Sequence, residues 1–336
     1  MVEQAWKFGR LVDNYDESLL ASSSILVYDR GKINFRNGRT FMERARVIYN
    51  PTSGREHMKK QLPYVLDRLE TEGYETSAHM TKGEEDAKEE ARRAGRAGFD
   101  VVIAAGGDGT IFEVVNGLAE LEHRPKLGLI PAGTTNDLAR ALGIDGSNIE
   151  SVCDVICSNN VQPVDIGKVN NQYFINIAAG GKLTELTYDT PSKLKTMLGQ
   201  FAYYVKGFEK LRFLKPKYAR IEYDGKLFEG EIMMFLISNT NSVGGFEKLL
   251  PNASFDDGMF DMIVIKKTNI PELIRIGSQA LNGEHLHHNK IMYMQANRIK
   301  IEVEEDMELN LDGEYGGNLP AEFVNLYHHV QMFCPS

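Results

Sequence analysis

Two periods of hydrophobicity alternate along the first half of the chain. Short apolar runs at Arg46–Tyr49, Tyr74–His79, Val101–Ala105 and Lys126–Ile130 read as strands. Between the first two, Met58, Leu62, Val65, Leu66 and Leu69 recur on one helical face, and Glu84–Gly98 reads as an Ala-rich, charged helix. Val101–Ala105 is apolar throughout, as expected of a strand covered on both faces. Strand–helix alternation of this kind predicts an α/β domain over 42–160, built on a parallel sheet with right-handed crossovers.

After about Asn160 the pattern changes. Val164–Val169, Gln172–Ala178, Ala219–Tyr223, Lys226–Phe235, Met259–Lys266, Arg298–Val303 and Met307–Leu311 read as strands, with Asp224-Gly225 as a hairpin turn. Residues 161–324 are therefore expected to form a mostly β sandwich, with helices near 192–210 and 270–282. Val330–Phe333 is a candidate strand returning to the first domain, so that 325–336 would complete it. Residues 1–41 lack clear periodicity and include a polar, Gly-rich stretch from Asp29 to Gly38; a poorly ordered extension is expected there.

Composition adds constraints rather than identity. At 336 residues, 42% hydrophobic and 25% charged, the chain suits two ordinary globular domains. No apolar run approaches the roughly 20 residues of a membrane span, and the N-terminus lacks the basic-then-apolar order of a secretion signal. Cys153, Cys157 and Cys334 form neither a disulfide framework nor a zinc spacing, and Cys153 and Cys157, four apart in a helix-like stretch, read as small buried apolar residues. A cytoplasmic location is expected. The net charge of −9 argues against nucleic acid as a partner. Charge is uneven, however: Lys193, Lys195, Lys206, Lys210, Arg212, Lys215, Lys217 and Arg220 are interrupted by one acid, Glu209. Such a stretch is either a solvated face or a patch for anionic lipid headgroups.

The chemistry concentrates in loops that follow strands. Val101–Ala105 runs into Gly106-Gly-Asp-Gly-Thr110, and the helix-like Ile111–Glu120 follows. Glycines at a strand-to-helix turn let the backbone approach a ligand closely, while the helix start offers unpaired N–H groups, so the turn suits phosphate. Asp108 would repel a phosphate unless a metal ion or proton donor intervenes, which points to phosphoryl transfer. Asn50-Pro-Thr-Ser-Gly54 ends the first strand with hydroxyls and reads alone as a turn. Gly133-Thr-Thr-Asn-Asp137 again lies between strand and helix, with Asn136 or Asp137 able to cap it.

Together, Asn50–Gly54, Gly106–Glu113, Gly133–Leu142 and the late Leu311-Asp-Gly-Glu314 resemble the diacylglycerol kinase catalytic-domain family from residue 42 onward. Val164–Lys168, Phe174–Gly181, Pro191–Lys195 and Asn310–Gly317 are most similar to its soluble branch from Gram-positive bacteria. The resemblance implies an α/β nucleotide domain, a β-sandwich lipid domain, and ATP and Mg²⁺ in the cleft between them. Carried over residue by residue, it puts ATP contacts on Asn50, Pro51, Thr52, Thr81, Gly107, Asp108, Gly109, Thr110, Glu113 and Thr134. A metal loop is implied at Ser254–Met259, with the Asp257 carboxylate and main-chain oxygens of Ser254 and Met259 as ligands. Without the family, that loop reads as a plain Asp-Gly turn. Glu314 is implied as the base that accepts a lipid hydroxyl proton, with Asp108 and Asp312 ordering waters and magnesium; Asp312 is the alternative base.

One residue departs from the family pattern. Phe112 stands where Asn is usual, and a polar nucleotide contact is lost if its side chain faces the cleft. The expected substrate is diacylglycerol, reached at the inner face of a membrane with Arg55 and Lys206 as candidate contacts; a homodimer is a further expectation. Three rivals stay open at this level: a kinase of another lipid, an NAD kinase-like enzyme sharing Gly106–Thr110, and a non-catalytic lipid-binding regulator.

Overall fold

Val101–Gly106 is buried at every position because it is the inner strand of a parallel sheet. In the computed structural model, which describes residues 33–36, 39–181, 215–241, 249–280 and 282–336, two hairpin strands come first: β1 (Ile33–Arg36) and β2 (Arg39–Met42). The sheet proper begins with β3 (Arg44–Tyr49), β4 (Glu75–Met80), β5 (Val101–Gly106) and β6 (Lys126–Pro131). Their order is β6-β5-β3-β4, and every pairing is parallel. The helices His57–Thr71, Asp86–Arg96, Asp108–Ala119 and Ile149–Cys157 cover this sheet. Met58, Val65 and Leu69 of the first are fully buried, each burial worth roughly 1.5–3 kcal/mol. Cys153 and Cys334 belong to the same core.

The second half is antiparallel. Its strands are β7 (Val161–Val169), β8 (Gln172–Phe174), β9 (Ile177–Gly180), β10 (Lys217–Tyr223), β11 (Lys226–Ser238) and β12 (Phe260–Lys266). They are followed by β13 (Ile291–Ala296), β14 (Arg298–Val303), β15 (Glu308–Leu311), β16 (Glu314–Asn318) and β17 (Ala321–Phe333). Phe174, Phe235, Phe260 and Phe323 form the centre of their core, with Phe174 stacked on Phe260 at 5.5 Å. The helix Ile270–Ala280 closes a smaller cluster with Leu250 and Ile263. The helix expected near 192–210, with Lys206, lies outside the described residues.

Strand β17 joins the halves. It pairs antiparallel with β14 and β7, and its end meets β6 in parallel at Met332 and Leu127. Val330, Met332 and Phe333 accordingly pack in the first core. A second join is Asn116, buried on the helix Asp108–Ala119: its Oδ1 accepts the Tyr173 N–H at 2.9 Å and its Nδ2 donates to the Tyr173 carbonyl at 2.8 Å.

The expected single strand Gln172–Ala178 is two strands. Ile175 and Asn176 leave the ladder because their N–H groups turn to the Asp312 carboxylate.

Candidate active site

The carboxyl edge of the parallel sheet gathers the loops, which is where open α/β sheets bind ligands. Asn50 leaves β3 with its N–H on the Ala105 carbonyl at 3.0 Å, and its Oδ1 accepts Thr52 N–H at 3.0 Å and Thr52 Oγ1 at 2.8 Å. This Asx turn fixes Pro51 and Thr52 at the edge. Thr81, just after β4, donates its N–H to the Tyr49 carbonyl at 2.9 Å. Gly107 stands extended at the N-terminus of the helix Asp108–Ala119, and no side chain caps that helix. Thr110 is buried in its first turn, whereas Thr134 is exposed.

Two glycine loops meet here. A Cβ on Gly133 would stand 2.8 Å from Gly107 Cα and 2.7 Å from Asn136 Oδ1, so only glycine lets the loops touch. Asn136, at φ +50°, accepts the Gly133 N–H at 2.8 Å. Asp108 locks the pair: its Oδ2 accepts Asn136 N–H at 3.0 Å and its Oδ1 accepts Asp137 N–H at 2.9 Å. Burial raises the Asp108 carboxyl above its ordinary range, against the pull of these bonds.

The β domain supplies the facing wall. Glu314, exposed at the start of β16, places Oε1 3.1 Å from the position a Cβ on Gly109 would occupy. Two residues earlier Asp312 turns the chain at φ +50°, and Asn310 Oδ1 holds that turn through Gly313 N–H at 3.0 Å. The Asp312 carboxylate accepts three N–H groups: Ile175 at 2.7 Å, Asn176 at 2.9 Å and Ile177 at 2.7 Å. Desolvation, with the Asp108 charge adding to it, pushes Asp312 up to about 7. Behind it, Asn176 accepts Ser238 Oγ on its carbonyl at 3.0 Å and bonds the Thr240 hydroxyl through its side chain.

Other residues expected at the site have different surroundings. Glu113 Oε2 accepts Ala87 N–H at 3.0 Å, at the start of the helix Asp86–Arg96. In the Ser254–Met259 loop, Asp257 Oδ1 accepts Met259 N–H at 2.9 Å and Ser254 Oγ donates to Asp256 at 2.5 Å. That loop is anchored by the buried Asp165, whose Oδ2 accepts Gly258 N–H at 2.6 Å and Oδ1 accepts His328 N–H at 2.7 Å. Arg55 lies in the one-turn helix Ser53–Glu56; its side chain is outside the described residues. Phe112 is half-buried and packs against the core of the β domain. Asn116, Asp165, Asn176 and Asn310 were not singled out by sequence, although a polar residue inside an apolar run (Val114-Val-Asn-Gly-Leu118, Phe174-Ile-Asn-Ile177) is the signal that could have found two of them.

Asp108 and Asp312 are the carboxylates that could approach a divalent cation at this junction, each already accepting main-chain N–H bonds. Asp108 and Asp312 act on each other as like charges, which a cation between them relieves. No group of three His, Cys, Asp or Glu side chains among the described residues is arranged to hold a metal. One or two carboxylates completed by waters and phosphate oxygens is how Mg²⁺ is commonly held.

A glycine-lined turn at a helix start, faced by carboxylates from the β half, is an arrangement suited to phosphoryl transfer. Comparison with known proteins narrows the class. Residues 44–169 match the family described as diacylglycerol kinase catalytic domain, and residues 187–334 match the YegS C-terminal NAD kinase beta sandwich-like domain. A diacylglycerol kinase of Bacillus subtilis (strain 168) is 61% identical over 294 residues, covering 88% of this chain and 97% of that protein. One of Staphylococcus aureus (strain bovine RF122 / ET3-1) is 54% identical, covering 88% and 93%. A crystal structure of a diacylglycerol kinase from Bacillus anthracis str. Sterne superposes with a TM-score of 0.74 at 31% identity, covering 88% of this chain and 99% of that one. The chain belongs to the diacylglycerol kinase catalytic domain family and is a lipid kinase, a class that implies ATP as phosphoryl donor. Among the described residues, no helix is long and apolar enough to cross a membrane.

Two expected results follow from this geometry. Gly133→Ala forces the two loops apart, so thermal denaturation should show a loss of about 1–3 kcal/mol, and KM for ATP should rise. Phe112→Asn strips an apolar side chain from the β-domain core and should cost roughly 1–3 kcal/mol of stability. KM for ATP should stay near wild type in that variant; a large change in KM at unchanged stability would place residue 112 in the nucleotide site instead.

Proposed function

We propose that this kinase transfers the γ-phosphoryl group of ATP to the free hydroxyl of diacylglycerol, forming phosphatidic acid for phospholipid synthesis. The observation that carries the reading is the contact across the domain junction: Glu314, from the β domain, lies against Gly109 in the phosphate cradle. A carboxylate so placed can accept the hydroxyl proton as the lipid oxygen bonds to the γ-phosphorus and the bond to the β,γ-bridging oxygen breaks. Asn50, Pro51, Thr52, Thr81, Gly107–Thr110 and Thr134 hold the nucleotide. Glu113 acts at one remove, by fixing the helix that follows Thr81.

Asp108 and Asp312 would hold Mg²⁺, which when bound neutralises charge developing on the phosphoryl oxygens. Ser254, Asp257 and Met259 would hold a second, structural Mg²⁺ in a loop already shaped by Asp165. The substrate lies in a membrane, so the enzyme works in the cytoplasm and docks transiently on the anionic inner face. Arg55 and Lys206 are the proposed contacts, and a homodimer is the proposed assembly. Docking of this kind weakens as salt screens it.

A substrate panel tests the reading: diacylglycerol, a sphingoid base and phosphatidylglycerol in vesicles, with NAD in solution. Diacylglycerol should turn over fastest and raised salt should slow the reaction on anionic vesicles. Phosphorylation of NAD alone, or preference for another lipid, would sink it.

A further inference from the structure

At the far end of the Asp108–Ala119 helix, two cationic side chains and an imidazole gather near one aromatic ring. The helix has 12 residues, so this corner lies about 18 Å from the phosphate cradle at its other end. Tyr173, buried on β8, stacks with the His329 imidazole at a centroid separation of 6.2 Å, and the Lys168 ammonium lies 5.8 Å from the same ring. His329 Nε2 donates to the Ala119 carbonyl at 2.9 Å, and Arg124 Nε reaches that oxygen at 3.4 Å. Lys168 closes the segment Val164–Lys168, of which Asp165 anchors the Ser254–Met259 loop while the exposed Lys168 takes no part in it.

Among the described residues neither Arg124 nor Lys168 forms an ion pair with a carboxylate, and Glu120, the acid next to the helix end, is held by Arg92 at 2.8 Å. The helix C-terminus contributes only about half a negative charge. Two permanent cations therefore remain in excess, on a chain whose net charge is −9. Burial favours loss of the proton at Arg124, opposed only by Tyr173, and the fields of Arg124 and Lys168 both disfavour charge on His329. Such mutual repulsion is relieved by an anion. The donor types name its class: Arg124 spends Nε on Ala119 and keeps the terminal nitrogens of its fork, Lys168 brings an exposed ammonium to the same Tyr173 corner, and such groups recognise phosphate oxygens.

We propose that Arg124, Lys168 and His329 form a second anion site, separate from the nucleotide cradle, for the phosphate group of free phosphate or of a lipid headgroup. The test uses the full chain with its cradle filled by a non-hydrolysable ATP analogue and Mg²⁺, so that phosphate cannot report on the nucleotide site. Binding of inorganic phosphate is measured by calorimetry, and flotation is measured with phosphatidylcholine vesicles with and without phosphatidic acid. The variants are Lys168→Gln, which alters an exposed side chain and spares the fold, and the double variant with Arg124→Gln, which keeps a donor for Ala119.

If the site takes free phosphate, phosphate should bind wild type, shift the His329 ring resonances, and bind the double variant at least tenfold more weakly. If it takes a headgroup, the added flotation with phosphatidic acid should fall by a similar factor in the double variant, and by less in Lys168→Gln. Variants that bind phosphate and acidic vesicles as wild type does would overturn the proposal, whichever source is considered.

Discussion

Glu314→Gln is expected to lower kcat by about 10²–10⁴-fold, the range contributed by a positioned general base. Glutamine keeps the size of the side chain and its place against Gly109 but cannot accept the hydroxyl proton. KM for ATP should hardly move, because the cradle is held by the Asn50 turn, by the Asp108 bonds to Asn136 and Asp137 and by the Gly107–Gly133 approach. Stability should stay within about 0.5 kcal/mol, since the residue is exposed. Steady-state kinetics on diacylglycerol vesicles, with a melting curve as control, measure all three quantities. Full activity in this variant would move the base role to Asp312. That outcome would be awkward chemically, because both Asp312 oxygens already accept main-chain N–H groups.

What was legible in sequence was local. The turn Gly106–Thr110 declares itself because a buried strand, three glycines and a helix follow one another within a short stretch, and the α/β class follows from repeating that unit. Glu314 could be given a role only by family resemblance, for its neighbour Gly109 comes from the other end of the chain. Phe112 shows the same limit. Its position just past the turn suggested the nucleotide cleft, yet the helix points it into the β-domain core, beside the Asn116 contact to Tyr173. Glu113 likewise finds its partner on another helix.

Strands were missed where their residues are poor strand formers or their alternation breaks. Glu314–Asn318 contains Gly316 and Gly317, which carry no strand signal. Of Ala321–Phe333 only the end, Val330–Phe333, was expected: a register shift between Leu326 and Val330, with Tyr327 and His328 exposed, breaks the two-residue period midway. Gln172–Ala178 erred the other way: from Tyr173 its run is apolar but for Asn176, and the distant Asp312 carboxylate explains the break.

Asp312→Ala should damage fold and chemistry together, and that coupling is the sharper test of the site. Removing the carboxylate strands the N–H groups of Ile175, Asn176 and Ile177. An unsatisfied donor costs about 1–3 kcal/mol when water cannot replace the partner. Asp312 is only half-buried, so water will recover part of the loss, and a net destabilisation of about 2–4 kcal/mol is expected. The rate of lipid phosphorylation should fall by about 10³-fold or more through loss of organised charge at the phosphoryl group.

Asp312→Asn separates the two effects. An amide retains one acceptor oxygen, so part of the N–H bonding survives and stability should fall less than in the alanine variant, while the charge is equally gone and the rate should fall as far. Because Asp108 and Asp312 feel each other's charge, their losses should not add. In a cycle of Asp108→Asn, Asp312→Asn and the double variant, the double should be little slower than the worse single. Additive losses, measured as kcat on the same vesicles, would mean that the two carboxylates act independently rather than through one shared cation.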